Sequence, residues 1–216
     1  MKINLFKFSK EKKIRLKKNF LSNLTAETLQ VIVQFLYPPL MMFVWGVETF
    51  GIWIFFTSIP NILLIFNFNF TTAVTQEMTM FHSKGNKNKV EQIFQNGIAL
   101  AISSILILAL IALCSYFFLI NIDFSIAKGL SNYEINIILL LLIISSLINI
   151  FSSIFVGGIW FQGKQFIAIN IKFIFEFISK AGIILLGLFF ENLIYIAILF
   201  FIFTICQSLV YFYYFL

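Results

Sequence analysis

The sequence predicts an all-α integral membrane protein, a polytopic helical bundle with about six transmembrane helices. Of its 216 residues, 61% are hydrophobic and only 11% are charged, and the mean hydropathy is +0.99. A soluble domain of this size has too little interior to hide so much apolar surface. Runs rich in Ile, Leu and Phe exceed about eighteen residues, which is typical of helices that cross a bilayer. These observations exclude a soluble globular domain.

Hydropathy divides the chain into six predicted spans of about 25 residues, each ~37 Å long as a helix. The spans are residues 20–45, 51–75, 94–120, 135–161, 166–190 and 192–216. Residues 82–89 and 121–134 form the two longer connections. We therefore expect residues 19–216 to form one six-span unit that follows a basic segment at residues 1–18.

The distribution of basic residues predicts the orientation of the chain. Eight of the fifteen lysines and arginines precede the first span. With the N-terminus inside, Lys84, Lys87, Lys89 and Lys164 also lie inside, and only Lys128 lies in a connection on the other side. Basic residues favour the cytoplasmic face, so the N-terminus is predicted to be cytoplasmic. The basic segment at residues 1–18 is predicted to bind anionic lipid headgroups and not nucleic acid.

The fifth span contains three charged residues, Lys172, Glu176 and Lys180. Their spacing places them on one face of a helix. A charge near the membrane centre costs at least ~2.5–3.5 kcal/mol, so such residues usually serve a function. One alternative is a network that neutralises itself and locks helices together. Because one carboxylate cannot neutralise two lysines, this face is positive unless Glu27 supplies a second negative charge. The pattern favours a role in attracting anions or coupling to ions.

Polar residues occur on one face of three other spans, which predicts a hydrated cavity where these faces meet the charged one. They are Asn23, Glu27, Gln30 and Gln34 in the first span, Thr57, Ser58 and Asn61 in the second, and Ser145, Asn149, Ser152 and Ser153 in the fourth. The alternative for the amides is hydrogen bonding between helices, and for the serines helix packing. Pro60 and the neighbouring polar residues are more typical of a packed kink, and a hinge that gates transport is the alternative interpretation.

No catalytic or metal-binding pattern is present in the sequence. His82 is the only histidine, and there is no CxxC, HExxH, GxSxG or phosphate-binding loop motif. Gly157 and Gly158 predict close helix packing, since no Lys-Ser or Lys-Thr follows them. We therefore expect a protein that is not an enzyme and has no cofactor or metal.

Several short segments resemble bacterial polysaccharide flippases of the O-antigen (Wzx) type, in the multidrug/oligosaccharidyl-lipid/polysaccharide exporter superfamily. The segments are GVETFGIW at residues 46–53, NFLSNL at 19–24 with Pro38 downstream, GNKNKV at 85–90 and GIWFQGK at 158–164. The similarity extends over residues 19–216. One departure is Asn67-Phe68-Asn69, where members often have Asp-x-Gly near the end of the second helix.

The resemblance implies one lobe of a MATE-like transporter, because family members have twelve or more spans in two lobes around a central cavity. It implies that the N-terminal lobe works with a missing C-terminal lobe or with a second copy. The implied cargo is undecaprenyl-pyrophosphate-linked oligosaccharide, moved across the bacterial cytoplasmic (inner) membrane by alternating access. A functional link to the polysaccharide polymerase machinery is a further expectation.

On this hypothesis the polar and charged residues divide into three roles. Lys172 and Lys180 bind pyrophosphate; Asn23, Gln30, Gln34 and Asn149 bind sugar hydroxyls; Glu176 or Glu27 couples transport to ions or balances charge. Two other functions stay open. The chain could be another exporter of the same superfamily, for a peptidoglycan precursor or a drug. It could also be a membrane scaffold for envelope polysaccharide synthesis that does not transport.

Overall fold

The computed structural model describes residues 10–65, 70–119, 130–190 and 192–216. These residues form helices joined by short connections and include no strand. The helices are α1 (Lys10–Ile65), α2 (Phe70–Ser83), α3 (Lys87–Leu119), α4 (Asn132–Phe161), α5 (Gln165–Phe189) and α6 (Leu193–Phe215). The predicted all-α class is confirmed.

Helix α1 is divided into two arms at Gly46, where φ is 78° and ψ is 165°. This conformation is almost restricted to glycine, because a Cβ atom would meet the backbone. Across the break, the ring centroids of Trp45 and Trp53 are 6.2 Å apart, whereas eight residues of straight helix would separate them by ~12 Å. The arms, residues 10–45 and 47–65, therefore fold back on each other. They correspond to the first predicted span and the start of the second.

One predicted boundary differs from the structure. The second predicted span, residues 51–75, includes the second arm up to Ile65 and the start of α2 at Phe70. Asn67 to Asn69 lie outside the described residues. The third helix begins at Lys87 and not at residue 94, because the Asn86 side-chain oxygen accepts a hydrogen bond from the Lys89 amide at 3.1 Å. An asparagine in this position caps a helix, so the polar residues after it form the first turn.

Helix α4 lies at the centre of the bundle and contacts every other helix, most extensively α6. Its residues Ile138, Leu139 and Leu142 are fully buried together with Phe56 of the second arm and Ile196 of α6. Near its C-terminal end, a Cβ on Gly157 would lie 2.6 Å from Thr71 of α2, and one on Gly158 would overlap the Phe215 ring of α6. The predicted close packing at these two glycines is confirmed.

The helix ends gather into two groups of opposite charge. At one end, which we call the basic end, the Asn19 side-chain oxygen accepts a hydrogen bond from the Phe166 amide at 3.1 Å. The basic residues of this end whose side chains are described are Lys17, Lys18, Lys84, Lys87, Lys89 and Lys164. At the other end, the acidic end, Asn192 donates to Glu134 at 3.2 Å. Glu48 lies in the turn that joins the two arms at this end, and Asp123 and Lys128 lie outside the described residues.

Within the described residues, four helical stretches are long and apolar enough to cross a membrane. They are Lys17–Ser58, Lys87–Ile111, Asn132–Phe161 and Leu193–Phe215, and the first of them covers both arms of α1. Helix α2, with 14 residues, is shorter, and the 25-residue α5 contains the three charges. Large apolar side chains such as Phe35, Phe43 and Leu110 are exposed on the bundle surface. The structure therefore supports a membrane protein with a helical bundle.

Candidate functional site

A polar cavity of about 530 Å³ lies between both arms of α1 and helices α4, α5 and α6. Its charged residues are Lys172, Glu176 and Lys180. Its polar residues are Gln30, Tyr37, Thr57, Asn61, Asn149, Ser179, Thr204 and Gln207, and its apolar residues are Trp53, Phe175, Ile183, Phe200 and Phe203. The cavity thus brings together polar side chains from helices that are otherwise almost entirely apolar.

Five of the eight predicted site residues line this cavity: Gln30, Asn149, Lys172, Glu176 and Lys180. These positions on α1, α4 and α5 therefore share one cavity. Asn23, Glu27 and Gln34 are not among the lining residues, although they share a helix face with Gln30. Asn23 is half-buried, and Glu27 and Gln34 are exposed. Since Asn23 and Gln34 are ~16 Å apart along the axis, this face is longer than the part of it that meets the cavity.

An ion pair on α5 lies in the cavity wall. Lys180 Nζ is 2.9 Å from Glu176 Oε1, and the two side chains are 21% and 27% exposed. Gln30 Nε2 donates a long hydrogen bond of 3.5 Å to the same carboxylate oxygen. Lys180 Nζ also lies 5.7 Å from the centre of the Tyr37 ring, within the range of a cation–π contact. Glu176 therefore neutralises Lys180 and connects α5 to the first arm of α1.

Lys172 is the cavity lysine that keeps an uncompensated charge. Within the described part of the chain it has neither an ion-pair nor a hydrogen-bond partner, and its side chain is exposed to the cavity. Glu27, which could have supplied a second carboxylate, forms no ion pair with it. Two lysines and one glutamate give the lining a formal charge of +1. The cavity is thus a polar chamber with one ammonium group available to a ligand.

The lining residues that sequence reasoning missed include Tyr37, Trp53, Thr204 and Gln207. Thr204 and Gln207 have a usable signal, because they are polar, lie three residues apart and share one face of an otherwise apolar helix. Tyr37 and Trp53 have no such signal in a chain with 19% aromatic residues. Thr57 and Asn61, interpreted as kink positions, also line the cavity.

The serines of the fourth span belong to helix packing. Ser145 and Ser146 are buried and donate to the carbonyl oxygens of Leu141 and Leu142 on their own helix, at 2.7 and 3.0 Å. Ser153 lies 3.0 Å from the Thr71 hydroxyl of α2. Asn149 alone of the predicted polar stripe on α4 lines the cavity. The stripe therefore contains one cavity residue and several packing residues.

The described residues contain no cluster of three or more His, Cys, Asp or Glu side chains that could hold a metal ion. His82 lies at the basic end, with its ring 5.4 Å from the ring centre of Phe161. It is distant along the chain from the charged residues of α5 and does not line the cavity.

The fold and the cavity together define a class, a helical membrane bundle with a polar, positively charged chamber between its helices. Comparisons with protein-family models, curated proteins and solved structures found no match.

Proposed function

We propose that this chain is one lobe of a transporter that moves a lipid-linked oligosaccharide across the bacterial cytoplasmic membrane. The observation that carries the proposal is the unpaired ammonium group of Lys172 in a polar cavity between apolar helices. A charge in this position is costly unless a ligand, water or a partner compensates it. An anionic cargo supplies that compensation.

The chemistry of the cargo matches the chemistry of the cavity walls. A pyrophosphate presents oxygens that accept strong, charge-assisted hydrogen bonds from an ammonium group, which Lys172 supplies. Amide side chains both donate and accept, as sugar hydroxyls do, and Gln30 and Asn149 offer two of them. The volume of about 530 Å³ falls in the usual range of ~300–1,000 Å³ for small-molecule sites. The polyprenyl tail would stay in the surrounding lipid.

The three predicted site residues that do not line the cavity support a two-lobe arrangement. Glu27 and Gln34 are exposed on the first arm. If lipid covered this face, their polar groups would have no hydrogen-bond partner, which costs roughly several kcal/mol for each group. A second lobe or a second copy of this chain covering that face would enclose them with Gln30. In such an assembly Glu27 joins Glu176 as a candidate for ion coupling, and rocking of the lobes would expose the cavity to each side in turn.

The proposed orientation has the basic end in the cytoplasm. All described lysines outside the cavity lie at that end, and the described carboxylates at the opposite end are Glu48 and Glu134. Lysines are retained on the cytoplasmic side of bacterial membranes. The cavity would then load its anionic cargo from the cytoplasmic leaflet.

A scaffold that does not transport is the second candidate, because the contacts among Gln30, Glu176 and Lys180 also tie α1 to α5. This reading predicts that cavity variants unfold the protein, whereas the transport reading predicts folded but inactive variants. A drug exporter of the same superfamily fits less well, since a lining charge of +1 repels cationic drugs.

The decisive experiment compares Lys172→Gln with Lys164→Gln in the cells that make this protein. Both variants remove one positive charge, but Lys164 lies in the exposed turn between α4 and α5, away from the cavity. We expect Lys172→Gln to abolish surface glycan and to accumulate its lipid-linked precursor, with unchanged protein in the membrane. Lys164→Gln should export normally. Normal export by the double variant Lys172→Gln/Lys180→Gln would contradict the proposal.

A further inference from the structure

Helix α6 contributes a buried hydrogen-bonded pair behind the cavity wall. Tyr211 is 5% exposed, and its hydroxyl donates to the Ala168 carbonyl oxygen of α5 at 3.3 Å. One helical turn earlier, Gln207 lines the cavity and donates from Nε2 to the same Tyr211 hydroxyl at 3.1 Å. Tyr211 therefore connects a cavity amide to the backbone of the neighbouring helix.

This pair determines which half of the Gln207 amide is free to face the cavity. A tyrosine hydroxyl has a single proton, and here Ala168 accepts it. The hydroxyl can then only accept from Gln207, which directs the NH₂ group to Tyr211 and leaves the carbonyl oxygen unpartnered. The reversed amide would make one hydrogen bond where this arrangement makes two. Gln207 thus presents its carbonyl oxygen, an acceptor, to the cavity, while its second amide proton has no partner among the described residues.

The hydroxyl groups of Thr57 and Thr204, also in the cavity wall, likewise have their protons engaged and their oxygens available as acceptors. Thr204 donates its hydroxyl proton to the Phe200 carbonyl oxygen at 2.9 Å. Thr57 donates to the Trp53 carbonyl oxygen at 3.0 Å. With their protons used inside their own helices, both oxygens can only accept from a ligand. Thr57, Thr204 and Gln207 form a set of acceptors, which we call the acceptor wall.

We infer that the acceptor wall recognises the hydroxyl protons of the sugar portion of the cargo, with Tyr211 as the positioning residue of Gln207. This inference rests on the proposed function and deepens it. The pyrophosphate has no proton to give to such a wall at neutral pH, and it belongs with the ammonium group of Lys172. Sugar hydroxyls are donors, and they are the part of the cargo that distinguishes one lipid-linked glycan from another. The wall therefore contributes to cargo selection, whereas Lys172 contributes to binding of any pyrophosphate lipid.

The test measures the dissociation constants of two probes with the protein purified, together with any partner it has, from the membranes of the cells that make it. The probes are undecaprenyl pyrophosphate alone and the glycan-bearing undecaprenyl pyrophosphate extracted from the same cells. Loss of one hydrogen bond weakens binding by up to about tenfold. Gln207→Leu should raise the dissociation constant of the glycan-bearing probe by about this factor and leave that of the bare lipid unchanged. Tyr211→Phe should shift the ratio of the two constants in the same direction.

The controls separate positioning from folding. Tyr213→Phe removes the same atom from an exposed tyrosine on the same helix and should leave both constants unchanged. Gln207→Glu keeps an acceptor in the cavity and should retain more of the preference for the glycan than Gln207→Leu. If Tyr211→Phe fails to fold, the two Gln207 variants still decide the matter, because Gln207 is only partly buried.

Each outcome bears on one of the two proposals. An unchanged ratio in Gln207→Leu overturns the acceptor wall while leaving the proposed function in place. If the native chain binds neither probe, the proposed function fails and the inference fails with it. If sodium ions raise the melting temperature of the native chain but not that of Gln207→Leu, the wall is a cation site and the sugar assignment is wrong.

Discussion

Lys180 Nζ lies 2.9 Å from Glu176 Oε1 one turn earlier on α5, while Lys172, one turn further back, has no such carboxylate among the described residues. The same helix face therefore contains one neutralised lysine and one available lysine. This difference gives the two lysines different electrostatic environments, although the sequence hypothesis gave them the same role. The pair connects helices, and Lys172 is the group that a ligand can engage.

The first prediction concerns the energetic coupling of this pair. Glu176→Gln leaves Lys180 with an uncompensated charge in a half-buried position, so the melting temperature of the protein in detergent should fall. Lys180→Met in that background should recover part of the loss. A double-mutant cycle should give a coupling energy of ~0.5–3 kcal/mol. Lys164→Met, in the exposed turn between α4 and α5, serves as the control, with a change within ~0.5 kcal/mol, and zero coupling would contradict the ion pair.

The second prediction concerns the turn between the arms of α1. Gly46→Ala forces a Cβ onto a residue with φ of 78° and should destabilise the protein by ~1–3 kcal/mol, the usual cost of such backbone strain. No other atom lies within 4 Å of the added Cβ, so the cost comes from the backbone. Gly51→Ala is the matched control, because a Cβ at Gly51 also has no atom within 4 Å but the residue lies in regular helix. This substitution should be neutral or slightly stabilising. Equal thermal stabilities of the two variants would exclude the turn conformation.

The third prediction concerns the contact between α4 and α6 near the basic end. Gly158→Ala places a methyl group against the Phe215 ring and should cost ~1–3 kcal/mol through overpacking. The loss should shrink when Phe215 is replaced by Leu, because the smaller side chain frees space. Urea or thermal unfolding of the four proteins in the cycle measures the effect. Independent effects of the two substitutions would show that the residues do not touch.

The fourth prediction concerns orientation in the membrane. Single cysteines at Lys84 and Glu48, introduced after Cys114 and Cys206 are replaced by Ser, test the two ends of the bundle. Both positions are exposed. A membrane-impermeant maleimide should label Glu48→Cys in intact cells and Lys84→Cys only after permeabilisation. The reverse labelling pattern would invert the proposed topology.

The hydropathy pattern predicted the helices well because a bilayer-spanning helix needs a long apolar run whatever its neighbours are. It predicted boundaries less well where local hydrogen bonds decide them. Lys87 and Lys89 suggested a loop, yet the Asn86 cap starts α3 before them. A side-chain cap of this kind does not change the composition of the segment and leaves no hydropathy signal.

The cavity was predictable where its residues are rare for their surroundings. Lys172, Glu176 and Lys180 stand out in an apolar span, and all three line the chamber. The extent of each polar face was not predictable, because it depends on which neighbour covers which turn. The Ser145 hydroxyl, for example, donates to the Leu141 carbonyl oxygen of its own helix and does not face the cavity.

Aromatic residues were the least predictable part of the site. Tyr37 lies against Lys180, and Tyr211 holds Gln207, but the sequence places both among many similar rings. Only the arrangement of neighbouring helices distinguishes a tyrosine that supports the cavity from Tyr213, which lies on the surface.

The central position of α4 has a consequence for synthesis of the chain. Helix α1 packs mainly on α5 and α4, and substantial contacts between α1 and α2 or α3 are absent from the described residues. The ribosome therefore delivers the first half of the protein to the membrane before its main packing partner exists. The pair of α1 arms and the pair formed by α2 and α3 must wait apart, held by lipid or by the insertion machinery, until α4 arrives and allows the bundle to assemble. Nascent chains that stop before residue 132 should consequently be the substrates that membrane proteases remove first.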